Sequence, residues 1–176
     1  MLKGFLLGIV VGVVAIAAGV YFYFATGRAP VATSAAPMPF EKKFASIGLH
    51  AYLARLPHPD SPVAADEANL AAGAKIYVEN CAVCHGLPGK PSTAIAVGMF
   101  PKPPELLHGK GVTDDDAWET YWKVKSGIRM TGMPAFEGRM TDNEMWQVSV
   151  LVKNADKIPP AASSVLAGAG LAPTAR

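Results

Sequence analysis

Cys81-Ala82-Val83-Cys84-His85 decides the reading of this 176-residue chain. Two cysteine sulfurs two residues apart can each form a thioether to a haem vinyl group, and the histidine that follows is then held beneath the ring as an axial iron ligand. Competing chemistries need partners that the sequence lacks. A zinc site wants four ligands, whereas the chain has 2 Cys, and His50, His58 and His108 show no paired spacing. A thioredoxin-like redox pair wants a strand-helix-strand setting, yet His85 is followed by a loop containing Gly86, Pro88, Gly89 and Pro91. The five residues are therefore read as a site for one covalent haem c, with Cys81 and Cys84 as attachment residues and His85 as an iron ligand. Both cysteines are used in this motif, so no disulfide framework remains.

Upstream, the composition changes character. Hydrophobic residues make up 51% of the chain, and the excess lies at the N-terminus. Residues 4–27 carry no charged side chain. At helical rise they reach about 36 Å, enough to cross a hydrocarbon core of about 30 Å. Lys3 and Arg28 flank the run, and Tyr21, Phe22, Tyr23 and Phe24 gather at its far end as an aromatic belt would. Residues 1–28 are read as a retained transmembrane anchor in contact with membrane lipid. The rival is a cleaved secretory signal with a weak site near Ala32-Thr33-Ser34-Ala35. Gly4, Gly8, Gly12, Ala15 and Gly19 form a small-residue stripe on which another membrane helix could pack.

Residues 29–60 read as a linker carrying a short amphipathic helix, with Phe40, Phe44, Ile47 and Ala51 at helical spacing and Pro57 ending it. That helix could pack on the haem domain, lie on the membrane surface or dock a partner subunit. Between residues 64 and 158, 12 Asp and Glu oppose 10 Lys and Arg, which argues against a nucleic-acid partner.

The haem domain spans residues 61–158. Asp66 is read as the N-cap of a helix whose apolar face, Leu70, Ala74 and Tyr77, leads to Cys81; Gly73 beside it would admit a second helix. The Pro-rich run Gly98-Met99-Phe100-Pro101-Lys102-Pro103-Pro104 is a loop forming one wall of the haem pocket. Thr113 is expected to cap a helix with Asp114, Asp115 and Asp116 in its first turn, Ala117, Tyr121 and Val124 toward the core, and Gly127 at its end. Thr141-Asp142-Asn143-Glu144 is a capping box opening a last helix with Met145, Val148 and Val152 on its stripe. The Ala/Gly/Pro-rich tail, residues 159–176, has no periodicity and is expected to be disordered.

The second axial position turns on the methionines. A thioether is soft and neutral, and His/Met ligation raises the haem potential. Met133 is favoured because Gly132 lets backbone approach the ring and Pro134 stiffens the loop. Met130 is the next candidate, and the other methionines, Met99, Met140 and Met145, or an open position make up the remaining alternatives.

Taken together, Gly73-x-x-x-Tyr77, Cys81-x-x-Cys84-His85, the Pro-rich loop, Gly132-Met133-Pro134-Ala135-Phe136 and a capped final helix resemble the class I cytochromes c. The resemblance covers residues 64–157 and is nearest to photosynthetic-type and oxidase-subunit-III-like members. It implies a small all-α domain wrapped around one haem, Met133 as distal ligand, and a loop proline carbonyl, at Pro101 or Pro103, accepting from His85. It also implies a crossing of the first and last helices at Gly73 and Tyr77 against Val148 and Leu151; many members have an aromatic where Leu151 stands. Because covalent haem is attached outside the bacterial cytoplasmic membrane, the resemblance implies a single-pass protein with its haem domain in the periplasm.

Iron saturated by His85 and Met133 leaves no place for a substrate, so the expected function is single-electron transfer between respiratory or photosynthetic redox partners, without catalysis or a small-molecule substrate. Arg129 and Trp122 are candidate haem-propionate partners. A fixed subunit of a membrane oxidoreductase complex is the second reading, and a haem enzyme or gas sensor with an open distal site the third.

Overall fold

The computed structural model describes residues 2–108 and 113–170 and is all-α, with no strand among the described residues. Its helices are α1 (Leu2–Ala25), α2 (Glu41–Leu53), α3 (Glu67–Asn80), α4 (Ala82–His85), α5 (Ala94–Gly98), α6 (Ala117–Ser126), α7 (Asp142–Lys153) and α8 (Pro160–Gly168). The chain divides into two compact units, Met1–His50 and Ala51–Arg176.

In the first unit, α1 is one uninterrupted helix of 24 residues, none of them buried, and is long and apolar enough to cross a membrane. The Thr26 hydroxyl donates to the Phe22 carbonyl at 2.6 Å, and Gly27 leaves the helix at φ 70. Glycine adopts that angle without a Cβ penalty. At the start of α2 the Glu41 carboxylate accepts from the Met38 N–H at 2.8 Å.

The second unit owes its core to α3 and α7. Asp66 caps α3 by accepting from the Asn69 N–H at 2.8 Å. Gly73 is required at the crossing: a Cβ there would collide with the Gln147 carbonyl of α7 and lie 3.2 Å from the Leu151 Cβ. Close approach seals Tyr77, Val148 and Leu151 from solvent, so the aliphatic Leu151 fills the crossing. Thr141 and Glu144 form the expected capping box, and seven residues of α7 are buried. On its other side α7 packs on α6, where the Tyr121 and Trp146 rings stack 4.2 Å apart.

Two expectations are corrected. Helix α6 starts at Ala117 with Asp116 at the N-cap position, so Thr113 does not cap it. The aspartates are drawn to lysines instead: Asp115 pairs with Lys123 at 2.5 Å, and Asp116 with Lys153 of α7 at 3.2 Å. The tail expected to be disordered contains α8, which packs on α3 and buries Ala162 and Leu166. Pro160 suits the first turn of a helix because its missing N–H would have no intrahelical partner there. The packed side chains of this segment, Ala162, Val165, Leu166 and Ala169, do recur at helical spacing, but only two of them are large, so the stripe is weak in the sequence. Residues 171–176 lie outside the described residues.

The segment entering this unit also packs. Leu53 and Val63 are buried, Tyr52 meets Trp122 at 5.4 Å, and His58 stacks on Trp118 at 4.1 Å. Aromatic pairs at such distances add to burial. The sequence reading missed this strap over α6.

Candidate haem site

Helix α3 hands its last turn directly to the motif: Cys81 N–H donates to the Tyr77 carbonyl, and Cys84 and His85 N–H groups donate to the Cys81 carbonyl at 3.0 and 2.9 Å. Cys81 and Cys84 are therefore carried on a single tight turn, both half-buried and neither disulfide-bonded. Burial, aided by Cys84, pushes the Cys81 thiol up to about 12 before any haem is attached. Gly86, at φ 76, turns the chain out of the motif. Its carbonyl accepts from the Tyr77 hydroxyl at 2.9 Å, tying the exit of the motif to the buried core.

His85 is oriented from behind. Its Nδ1 lies 2.7 Å from the Pro104 carbonyl. A carbonyl can only accept, so Nδ1 carries the proton and Nε2 keeps its lone pair. Burial lowers the imidazole's proton affinity, with the Pro104 bond opposing. This is the neutral tautomer that ligates iron, held by a carbonyl that raises its basicity. The acceptor is Pro104, not Pro103 or Pro101. Three prolines in four positions present interchangeable carbonyls to a reader of sequence, and only the path of the folded loop chooses among them.

The methionine loop is closed by its own backbone. Gly127, at φ 66, ends α6, and a Cβ there would lie 2.9 Å from the Met133 carbonyl and 2.7 Å from the Ala135 nitrogen. Ile128 N–H donates to the Met133 carbonyl at 3.2 Å, and Phe136 N–H to the Val124 carbonyl at 3.0 Å. Thr131 was missed from sequence: its hydroxyl donates to the Ile128 carbonyl at 2.7 Å and accepts from the Met133 N–H at 3.1 Å. A threonine two residues before the methionine is the local signal for such a turn.

Met133 is half-buried against the core. Met130 sits at φ 61 and is 92% exposed, so it points to solvent. Met145 is core, and the Met99 methyl presses on Gly132. Trp122 is half-buried against Tyr52, and Arg129 is exposed; neither side chain has a hydrogen-bond or ion-pair partner among the described residues.

The donor set fits covalent haem: two unpaired thiols on one turn, an imidazole with Nε2 available, and a thioether in a closed loop. It does not fit zinc, since no group of three His, Cys, Asp or Glu among the described residues could hold a metal ion.

Comparison with known proteins agrees. Residues 68–151 match the family described as cytochrome c oxidase, cbb3-type, subunit III. Cytochrome c6 of Parathermosynechococcus lividus is 36% identical over 85 residues, which cover 48% of this chain and 88% of that protein. Cytochrome c6 of Thermosynechococcus vestitus is 37% identical over 89 residues, covering 51% and 72%. The chain belongs to the class I cytochromes c. Among solved structures, this cytochrome is similar to a chain of the Kuenenia stuttgartiensis reducing HAO-like protein complex. That likeness has 28% identity and a TM-score of 0.47, over 60% of this chain and about half, 54%, of the other. The cytochrome carries covalent haem c, Cys81 and Cys84 have the spacing of its attachment motif, and its work is electron transfer.

Proposed function

We propose that this cytochrome is a single-pass membrane protein that shuttles single electrons between redox partners, with its haem domain, residues 61–158, on the periplasmic side and residues 1–28 as its anchor. Cys81 and Cys84 would hold the haem through thioethers, His85 and Met133 would ligate its iron, and Trp122 and Arg129 would serve its propionates. Haem so ligated supplies one reversible electron with little rearrangement and no open position for a substrate.

The observation that carries the reading is the lock on His85: with Nδ1 committed to Pro104 at 2.7 Å, only Nε2 is left to coordinate. The Met133 loop complements it, since Thr131, Ile128 and Gly127 close around the Met133 backbone. Tyr77 and Phe136, packed in or on the core, keep this region apolar, which holds a haem potential up. For the anchor, the support is an apolar helix of 24 residues.

A carbon monoxide difference spectrum of the reduced, detergent-extracted protein tests the ligation. No spectral change is expected, because both axial positions are filled; rapid and complete binding would overturn the carrier reading in favour of an enzyme or sensor. Met133→Ala should keep its covalent haem, bind carbon monoxide and show a lower potential, whereas Met130→Ala should do none of this beyond keeping its haem.

One observation favours a second reading, a fixed subunit of a membrane oxidoreductase complex: the matching family is described as an oxidase subunit. Stoichiometric partner subunits recovered in mild detergent would support it, and a lone monomer would support the carrier.

A further inference from the structure

Helix α2 leaves a continuous apolar face uncovered. Phe44, Ile47 and Ala51 follow at helical spacing, and the Phe40 ring meets Phe44 edge-on at 6.3 Å. Phe40, Phe44 and Ile47 are 67%, 69% and 54% exposed. Leu53 is buried and Tyr52 is engaged with Trp122, so the end of the helix that packs uses other side chains. Resting on the reading of α1 as a membrane anchor, we infer that this face is seated in the anionic lipid surface of the membrane that α1 crosses.

Three observations choose lipid over a protein occupant. The first is reach: only residues 26–39 separate the end of α1 from Phe40. A flexible segment of that length spans about 20 Å root-mean-square, which keeps the helix at the bilayer surface. The second is charge. Between residues 26 and 56, Arg28, Lys42, Lys43 and Arg55 oppose Glu41 alone. Basic residues this close to a membrane are attracted to anionic headgroups. The third is composition: Phe40 and Phe44 are aromatic, and Lys43 lies beside the apolar face, on the side of Ile47. An interfacial helix combines these features, aromatic and aliphatic side chains entering the acyl boundary while lysines stay with the phosphates. Such a contact would turn a swinging tether into a fixed stand at the membrane.

The test uses the full-length, haem-loaded protein in lipid nanodiscs containing phosphatidylglycerol. Thioethers consume the two native cysteines, so a nitroxide attaches only at Ile47→Cys or, on the other side of the helix, at Ser46→Cys. Both positions are exposed, so neither variant threatens the fold. Power saturation with oxygen and with a water-soluble nickel chelate reads lipid against water. The expected result is an oxygen-to-nickel accessibility ratio several-fold higher at 47 than at 46. A label at 47 reached freely by nickel would overturn the inference. A label at 47 shielded from both reagents would also overturn it, by showing a protein partner or a second copy on the face. A further label at Val13→Cys, within α1, separates the two layers of the argument: a water-like signal there would mean that the anchor reading had failed, whereas a lipid-like signal there with water at 47 would condemn only the seat of α2.

Discussion

Thr131 touches neither thiol nor imidazole, yet its hydroxyl both donates to the Ile128 carbonyl and accepts from the Met133 N–H. Val has the same shape without the oxygen. Thr131→Val should leave that N–H without its partner, while the Ile128 carbonyl keeps the Thr131 N–H at 3.2 Å, at a cost of about 1–3 kcal/mol if the loop cannot rewater the orphaned donor. We expect Thr131→Val to keep covalent haem but let carbon monoxide in slowly, and Thr131→Ser to behave as the natural protein. A Val variant as closed to carbon monoxide as its parent would show that Gly127 and Ile128 suffice to hold Met133. The sequence announced Met133 through its Gly and Pro neighbours, whereas the role of Thr131 depends on how the loop folds back on Ile128. The same limit applied to Pro104, whose carbonyl was indistinguishable from those of its neighbours until the loop had a path.

Elements were legible where a signal was both local and periodic. Helix α7 announced itself through the Thr141 to Glu144 box, and that box carries a pH dependence. Glu144 accepts from the Thr141 N–H at 2.8 Å and from its hydroxyl at 2.8 Å, and these bonds hold its carboxyl below the usual carboxylate range. A carboxylate whose folded proton affinity is depressed stabilises the fold above its unfolded pKa of about 4.3, and that contribution is lost as pH falls through the lower folded value. Urea unfolding at pH 7 and pH 3 should show a smaller acid loss in Glu144→Gln than in the parent; equal losses would mean that the box contributes nothing. Helix α8 was harder to read because only Val165 and Leu166 on its packed face are large. Leu166 is 4% exposed. Leu166→Ala should therefore cost about 2–5 kcal/mol in urea unfolding, against almost nothing if residues 160–168 were a loose tail.

At the scale of the molecule, two kinds of apolar surface coexist. Among the described residues, the cluster drawn together by α3, α6, α7 and α8 begins at Leu70, with Leu53 and Val63 buried outside it, while every large apolar side chain of α1 from Leu2 to Phe24 is exposed. Leucine, valine and phenylalanine on all sides of one helix suit lipid, and left in water they would drive aggregation. The sequence shows this division because it depends on composition over 24 residues, not on any single contact. Stability of the haem domain should then be independent of the anchor. With residues 1–28 replaced by a cleavable export signal, so that haem attachment still occurs, the protein should be recovered without detergent. It should retain covalent haem and remain closed to carbon monoxide, with a thermal midpoint within about 2 °C of the full-length protein in detergent. A soluble product melting 10 °C or so lower, a loss of more than about 1 kcal/mol for a domain of this size, would show that α1 supports the core. Aggregation despite removal of α1 would instead place the dominant exposed apolar surface on α2.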